Sequence, residues 1–77
     1  MKPGDCFIDT YYEPGIVAIE VISKQPYSNH AYNCIVVYTY SPKRTSLGAT
    51  VTRKDDDEEL VPATLVHIDD KVIPIKL

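Results

Sequence analysis

The segment Ala31–Tyr40 is the longest run of β-branched and aromatic residues in the chain, and it constrains the fold more than any other feature. Two rows of side chains alternate along this segment, and neither row is polar in its middle. Such a pattern is typical of a strand that is covered on both faces. The segment is therefore predicted to be the central strand of a sheet.

Shorter strands are predicted on both sides of the central one, each bounded by turn residues. They span residues 5–10, 16–23, 49–54, 63–68 and 71–77. The last two strands are predicted to form a tight hairpin through Asp69-Asp70, and Pro74 places the final strand at an edge or a bulge because proline cannot donate to a ladder. With the central strand, the chain is expected to hold five or six strands.

The core is predicted from side-chain alternation. Val17, Ile19 and Val21 share one row of their strand, and the opposite row contains Glu20, so the first row is expected to face the core. The central strand is expected to add Ile35 and Val37. Replacement of Ile35 by alanine is accordingly expected to cost roughly 2–5 kcal/mol of stability.

Two turns are predicted from local sequence. In Glu13-Pro14-Gly15-Ile16, the proline at the second position and the glycine at the third position favour a type II turn. Five consecutive carboxylates in residues 55–59 suit the start of a single helical turn, which Pro62 would end.

Length and charge limit the possible function classes. A chain of 77 residues has room for one domain, so residues 1–77 are predicted to form a single small β-barrel. The formal net charge of −3 provides no general field for gathering nucleic acid. We find neither a secretory h-region nor a membrane-length apolar run, so a cytoplasmic location without membrane contact is expected.

Three short pieces of sequence resemble the SH3-like barrel superfamily. They are the opening Pro3-Gly4-Asp5, the strand led by Gly15, and the segment 60–66 around Pro62. The resemblance implies an all-β fold, a small five- or six-stranded SH3-like barrel with at most one short helical turn. The chain contains no Trp, so it lacks the paired tryptophans of a groove for proline-rich peptides.

Tyrosine and acidic residues are the leading candidates for partner binding. The chain has six Tyr, one Phe and no Trp, and tyrosine at loop borders supplies rigid contact area with a polar tip. The acidic run would engage a basic partner by charge. We therefore expect a non-enzymatic protein-interaction module, of a kind that suits an accessory or inhibitor protein of a virus or mobile element. Its candidate contact residues are Tyr12, Tyr27, His30, Tyr32, Asp55, Asp56, Asp57 and Glu58.

Two alternatives remain open. A local basic patch near the tyrosines of the central strand would bind single-stranded nucleic acid, and its candidate residues are Lys43, Arg44, Arg53 and Lys54. The second alternative is a small barrel toxin with endoribonuclease activity, because Pro3-Gly4-Asp5 followed by two apolar strands is similar to the start of such proteins. No matching catalytic set follows in the sequence.

Cysteine and histidine do not form a recognisable site. Cys6, Cys34, His30 and His67 lack the paired spacing of a zinc site, and a cysteine inside an apolar strand is a poor nucleophile. Both cysteines are predicted to be free thiols, and no metal or other cofactor is expected.

Overall fold

The structure is a computed structural model that describes residues 1–40 and 44–77. Six antiparallel strands form one sheet in the order β4-β3-β2-β1-β5-β6, and one 3₁₀ turn (Thr10–Tyr12) follows the first strand. The predicted all-β fold, a small barrel-like domain with one short helical turn, is thereby confirmed. The strands are β1 (Cys6–Asp9), β2 (Ile16–Lys24), β3 (Ala31–Tyr40), β4 (Thr50–Lys54), β5 (Leu60–Ile68) and β6 (Lys71–Lys76).

The core lies on one face of the sheet and is centred on the neighbouring strands β2 and β3. Val17, Ile19 and Val21 are fully buried, as predicted from their alternation. From β3, the buried residues are Cys34 and Val36. The prediction that Ile35 and Val37 enter the core is therefore wrong, since both are only half-buried.

The register between β2 and β3 determines which row of β3 is buried, and a β-bulge at Val37 interrupts that register. Val36 lies opposite Ile19, while the next pair along the strands is Ala18 with Tyr38, so Val37 is the extra residue. Ile35 lies opposite Glu20, on the other face of the sheet. Because directly opposed residues share a face, the buried Ile19 selects Val36 for the core.

Both turn predictions are wrong in detail. Gly15 does not have the positive φ that a type II turn requires. The chain reverses through the 3₁₀ turn and a second turn that follows it, in which the peptide bond before Pro14 is cis and the Gly15 N–H donates to the Tyr12 carbonyl at 2.9 Å. The Asp9 carboxylate caps the 3₁₀ turn by accepting a hydrogen bond from the Tyr11 backbone N–H at 3.1 Å. Residues 55–59 form two successive non-helical turns, and β5 already begins at Leu60.

The β5–β6 hairpin forms as predicted, with β6 at an edge of the sheet. Asp69 and Asp70 have φ values of 49° and 64°, the left-handed conformation of a two-residue type I′ turn. The Leu77 N–H donates to the Pro62 carbonyl at 3.1 Å, and backbone groups alternate in direction along an antiparallel strand. Pro74 therefore occupies a position whose N–H would point towards the open edge.

Within the two described ranges, the chain contains no helix long and apolar enough to cross a membrane.

Candidate functional site

The five carboxylates of residues 55–59, here called the acidic turn, are held between the β2–β3 loop and the 3₁₀ turn. On one side, the Asp55 N–H donates to the His30 carbonyl at 3.0 Å. On the other side, the Glu59 carbonyl accepts from the Thr10 N–H at 2.9 Å and from the Thr10 hydroxyl at 2.8 Å. Inside the turn, the Glu59 N–H donates to the Asp57 carboxylate at 2.9 Å. Backbone hydrogen bonds thus fix the position of the acidic turn.

The loop between β2 and β3 forms one neighbour of the acidic turn. Ser28 shapes this loop, because its hydroxyl oxygen accepts hydrogen bonds from the backbone N–H groups of His30 and Ala31, both at 3.1 Å. Tyr27 is 98% exposed at the tip of the loop. The His30 Nδ1 atom lies 3.9 Å from an Asp55 carboxylate oxygen, so a protonated His30 would pair with it.

The 3₁₀ turn forms the other neighbour and carries two tyrosines. Tyr11 is 57% exposed, whereas Tyr12 is buried, and the two rings meet edge to face with centroids 5.2 Å apart. The Arg44 guanidinium carbon lies 5.1 Å from the Tyr11 centroid and 5.4 Å from the Tyr12 centroid. Arg44 also donates to the Tyr11 carbonyl at 3.3 Å. These distances are those of a cation–π interaction.

A buried ion pair lies beneath the tyrosines. Arg53 Nε donates to Asp9 Oδ2 at 2.7 Å, and the Asp9 side chain is fully buried. Arg53 Nη2 also lies 3.5 Å from the Tyr12 hydroxyl. Burial alone would lower the pKa of Arg53, but the hydrogen bond and the charge of Asp9 outweigh burial and raise it. Arg53 is therefore held as a cation by an internal partner.

This ion pair also links strands that are not neighbours. Asp9 ends β1 and Arg53 lies on β4, and the sheet order places β2 and β3 between them. In a flat sheet, strands three positions apart would be roughly 14 Å from each other. The pair at 2.7 Å therefore shows that the sheet curls, bringing β4 towards β1 on the core side.

A groove of about 550 Å³ opens between the 3₁₀ turn, β4 and the acidic turn. Tyr11 lines one side, and Asp57 and Glu59 line another, with Lys54 also at the groove. Arg53 contributes a side chain whose charge is already paired with Asp9. The remaining lining residues are Tyr12, Val51 and Thr52.

Several predicted contact residues lie on adjacent segments of the surface, and two face inwards. Tyr27, His30 and residues 55–58 lie on adjacent segments and are here called the tyrosine–acidic surface. Tyr12 is only 7% exposed and belongs to the core, so it has little area to offer a partner. Tyr32 is half-buried and also packs against the core.

The four predicted basic residues do not act as one group. Lys43 lies outside the described residues. Arg44 and Lys54 are exposed, but Arg53 is committed to Asp9. Sequence reasoning missed both Asp9 and Tyr11 as site residues. For Asp9, the sequence did contain a signal, namely a carboxylate at the end of an otherwise apolar strand.

The two cysteines are free thiols, as predicted. Burial raises the pKa of the Cys34 thiol, and Asp9 adds to this rise while Arg53 opposes it. Burial, followed by the charges of Glu20 and Asp5, raises the pKa of Cys6. At a given pH, a smaller fraction of each of these two thiols is therefore ionised than of an ordinary cysteine thiol.

We expect this rise in pKa to protect Cys34 from alkylation. Near pH 8, about the ordinary thiol pKa, iodoacetamide should modify the buried Cys34 of the folded protein far more slowly than a denatured sample. Both cysteines should react fully in denaturant without reductant. Mass spectrometry of timed samples measures the two rates, and equal rates in folded and denatured protein would contradict the burial of Cys34.

Across residues 1–40 and 44–77, His, Cys, Asp and Glu side chains form no group of three or more that could hold a metal ion. Comparison with known proteins yields no relative: no family model, no curated protein and no solved structure matches the chain.

Proposed function

We propose that this protein is an interaction module that binds a basic surface of another protein through its tyrosine–acidic surface. The observation that carries the proposal is the placement of the acidic turn beside the exposed Tyr27 loop. The Asp55–His30 backbone hydrogen bond at 3.0 Å joins the two segments. Charge and aromatic contact area are thereby combined on one surface.

The two parts of the surface would contribute differently to binding. The exposed carboxylates would act mainly on association, because exposed charges steer a partner of opposite sign over distances comparable to the Debye length. Tyr27 would act mainly on dissociation, because a large ring buried in a complex slows its release. The free thiols Cys6 and Cys34 support a cytoplasmic location as part of the proposal, since reduced cysteines are the norm there.

The nucleic-acid alternative has less support from the described residues. A patch for single-stranded nucleic acid needs cations that are free to meet phosphates. Arg53 is engaged by the buried Asp9, and the carboxylates of Asp57 and Glu59 line the same groove as Lys54. Phosphates approaching this groove would therefore meet negative charge.

A pair of matched double variants tests the proposal. Asp55→Asn with Asp56→Asn should slow association with the partner by roughly a factor of ten at low salt and flatten its salt dependence, because steering is lost. Asp57 is kept because its carboxylate accepts the hydrogen bond from Glu59. The partner is first isolated from an extract of the source organism with the wild-type protein as bait, and surface plasmon resonance then gives the rates.

The control removes the same charge elsewhere. Asp69→Asn with Asp70→Asn changes the hairpin at the other end of β5, and Asn tolerates the left-handed conformation found there. This variant should associate nearly as fast as wild type. If both double variants associate equally fast at low salt, or if Lys43→Ala with Arg44→Ala abolishes binding, the proposal fails.

A further inference from the structure

Arg44 shows which chemical group the tyrosine pair holds. Its guanidinium lies over both rings, at 5.1 Å and 5.4 Å from their centroids. The side chain is exposed, and its hydrogen bond to the Tyr11 carbonyl is long, at 3.3 Å. The rings thus hold a cation that belongs to the same chain and sits at the protein surface.

The groove next to these rings offers the remaining groups that a guanidinium needs. Asp57 and Glu59 line it with carboxylates, and a carboxylate accepts two parallel hydrogen bonds from an arginine fork. The positive charge of Arg53 is already balanced by Asp9. Of the cations that line the groove, this leaves Lys54 to offset the negative charge of the two carboxylates. The volume of about 550 Å³ falls within the range of small-ligand sites and is ample for one arginine side chain.

Arginine fits this site better than lysine or a phosphate group. A planar guanidinium stacks on an aromatic face and forms paired hydrogen bonds at the same time, whereas an ammonium is a compact and strongly hydrated charge. A phosphate would approach Asp57 and Glu59 with the same sign of charge. An aromatic ring next to two carboxylates would therefore favour a guanidinium over an ammonium or a phosphate.

We propose that the groove between Tyr11 and the acidic turn binds an arginine side chain of the basic partner, with Arg44 as an internal competitor for the same rings. This inference rests on the proposed function and names the group that the partner presents. The incoming arginine takes the place of the Arg44 guanidinium over Tyr11 and pairs with Asp57 or Glu59. Arg44 then returns to solvent.

The test uses a short peptide with one arginine between glycines, acetylated at its N-terminus and amidated at its C-terminus. Its lysine counterpart serves as the ligand control. Titration into ¹⁵N-labelled protein should shift the backbone amide signals of Tyr11, Tyr12, Asp57 and Glu59 more with the arginine peptide than with the lysine peptide. Arg44→Ala should tighten arginine binding by roughly two- to fivefold, because Arg44 no longer competes for the two rings.

Two tyrosine variants complete the test. Tyr11→Leu should weaken arginine binding by a similar factor, and it should fold because Tyr11 is exposed. Tyr40→Ala, at an exposed tyrosine on β3, should leave the affinity unchanged. Weaker or unchanged arginine binding by Arg44→Ala overturns the proposal. So does a single-stranded oligonucleotide that shifts these amides when the arginine peptide does not, an outcome that favours nucleic-acid binding.

The two proposals fail in different ways. If the arginine peptide leaves the groove amides unmoved while Asp55→Asn with Asp56→Asn still slows association with the partner, the arginine site is wrong and the interaction surface stands. If the peptide binds in the groove but the double variant associates normally, the groove still recognises guanidinium, and the steering role of the acidic turn is wrong.

Discussion

Arg53→Ala is expected to lower the free energy of unfolding by about 3–5 kcal/mol, as measured by chemical denaturation. The substitution removes the only charged group that is seen to pair with Asp9 among the described residues, and it leaves a carboxylate buried at 1% exposure. A buried charge without a partner is costly because the interior cannot replace its hydration. A small domain has only some 5–15 kcal/mol of stability in total, so this loss would be severe.

Two further variants identify the cause of that loss. Lys54→Ala changes an exposed cation next to Arg53 in the chain and should stay within about 0.5 kcal/mol of wild type. Asp9→Asn combined with Arg53→Met removes both charges, and Asn retains an oxygen that can accept the Tyr11 N–H. This double variant should be more stable than Arg53→Ala, because no unpaired buried charge remains. If Arg53→Ala and Lys54→Ala are equally stable, the buried pair has no such role.

Ile19→Ala is expected to destabilise the protein by about 2–5 kcal/mol, since it removes three buried methyl or methylene carbons from a fully buried side chain. Ile19 lies in the centre of the core, opposite Val36 and on the same face as Val17 and Val21. The surrounding strands are held by their ladders, so the cavity cannot collapse completely. Urea denaturation monitored by tyrosine fluorescence measures the loss.

The matched control for this prediction is Ile35→Ala. It removes the same atoms from a residue that is only half-buried and faces away from the core beside Glu20. Its cost should be clearly smaller than that of Ile19→Ala. Equal costs would mean that Ile35 is packed as tightly as Ile19, contrary to the full burial of Ile19 and the half-burial of Ile35.

Much of the fold could be predicted from local sequence. The bounds of β3 match the prediction because a long run of β-branched and aromatic residues marks a strand by itself. The β5–β6 hairpin was predictable from Asp69-Asp70, since aspartate tolerates the conformation that a two-residue hairpin needs. The buried row of β3 was not predictable, because it depends on the register between β3 and β2, which leaves no local signal in the sequence.

For the candidate site, the exposure of individual residues could be predicted from local sequence, whereas the contacts between distant segments could not. The exposure of Tyr27 and of the acidic run follows from polar neighbours and turn residues in the sequence. Their adjacency depends on the register between β3 and β4, which pairs Ala31 with Lys54 and so brings Asp55 to His30. The Asp9–Arg53 pair joins residues 44 positions apart, a separation at which no spacing rule applies.

The position of Pro74 limits how copies of this domain could assemble. An exposed edge strand is a template for another strand, and repeated edge pairing leads to swapped dimers or fibrils. At the middle of β6, the backbone position that faces the open edge has no hydrogen to donate, because it is occupied by Pro74. Growth of the sheet through β6 is therefore opposed by a missing hydrogen bond at the centre of this edge.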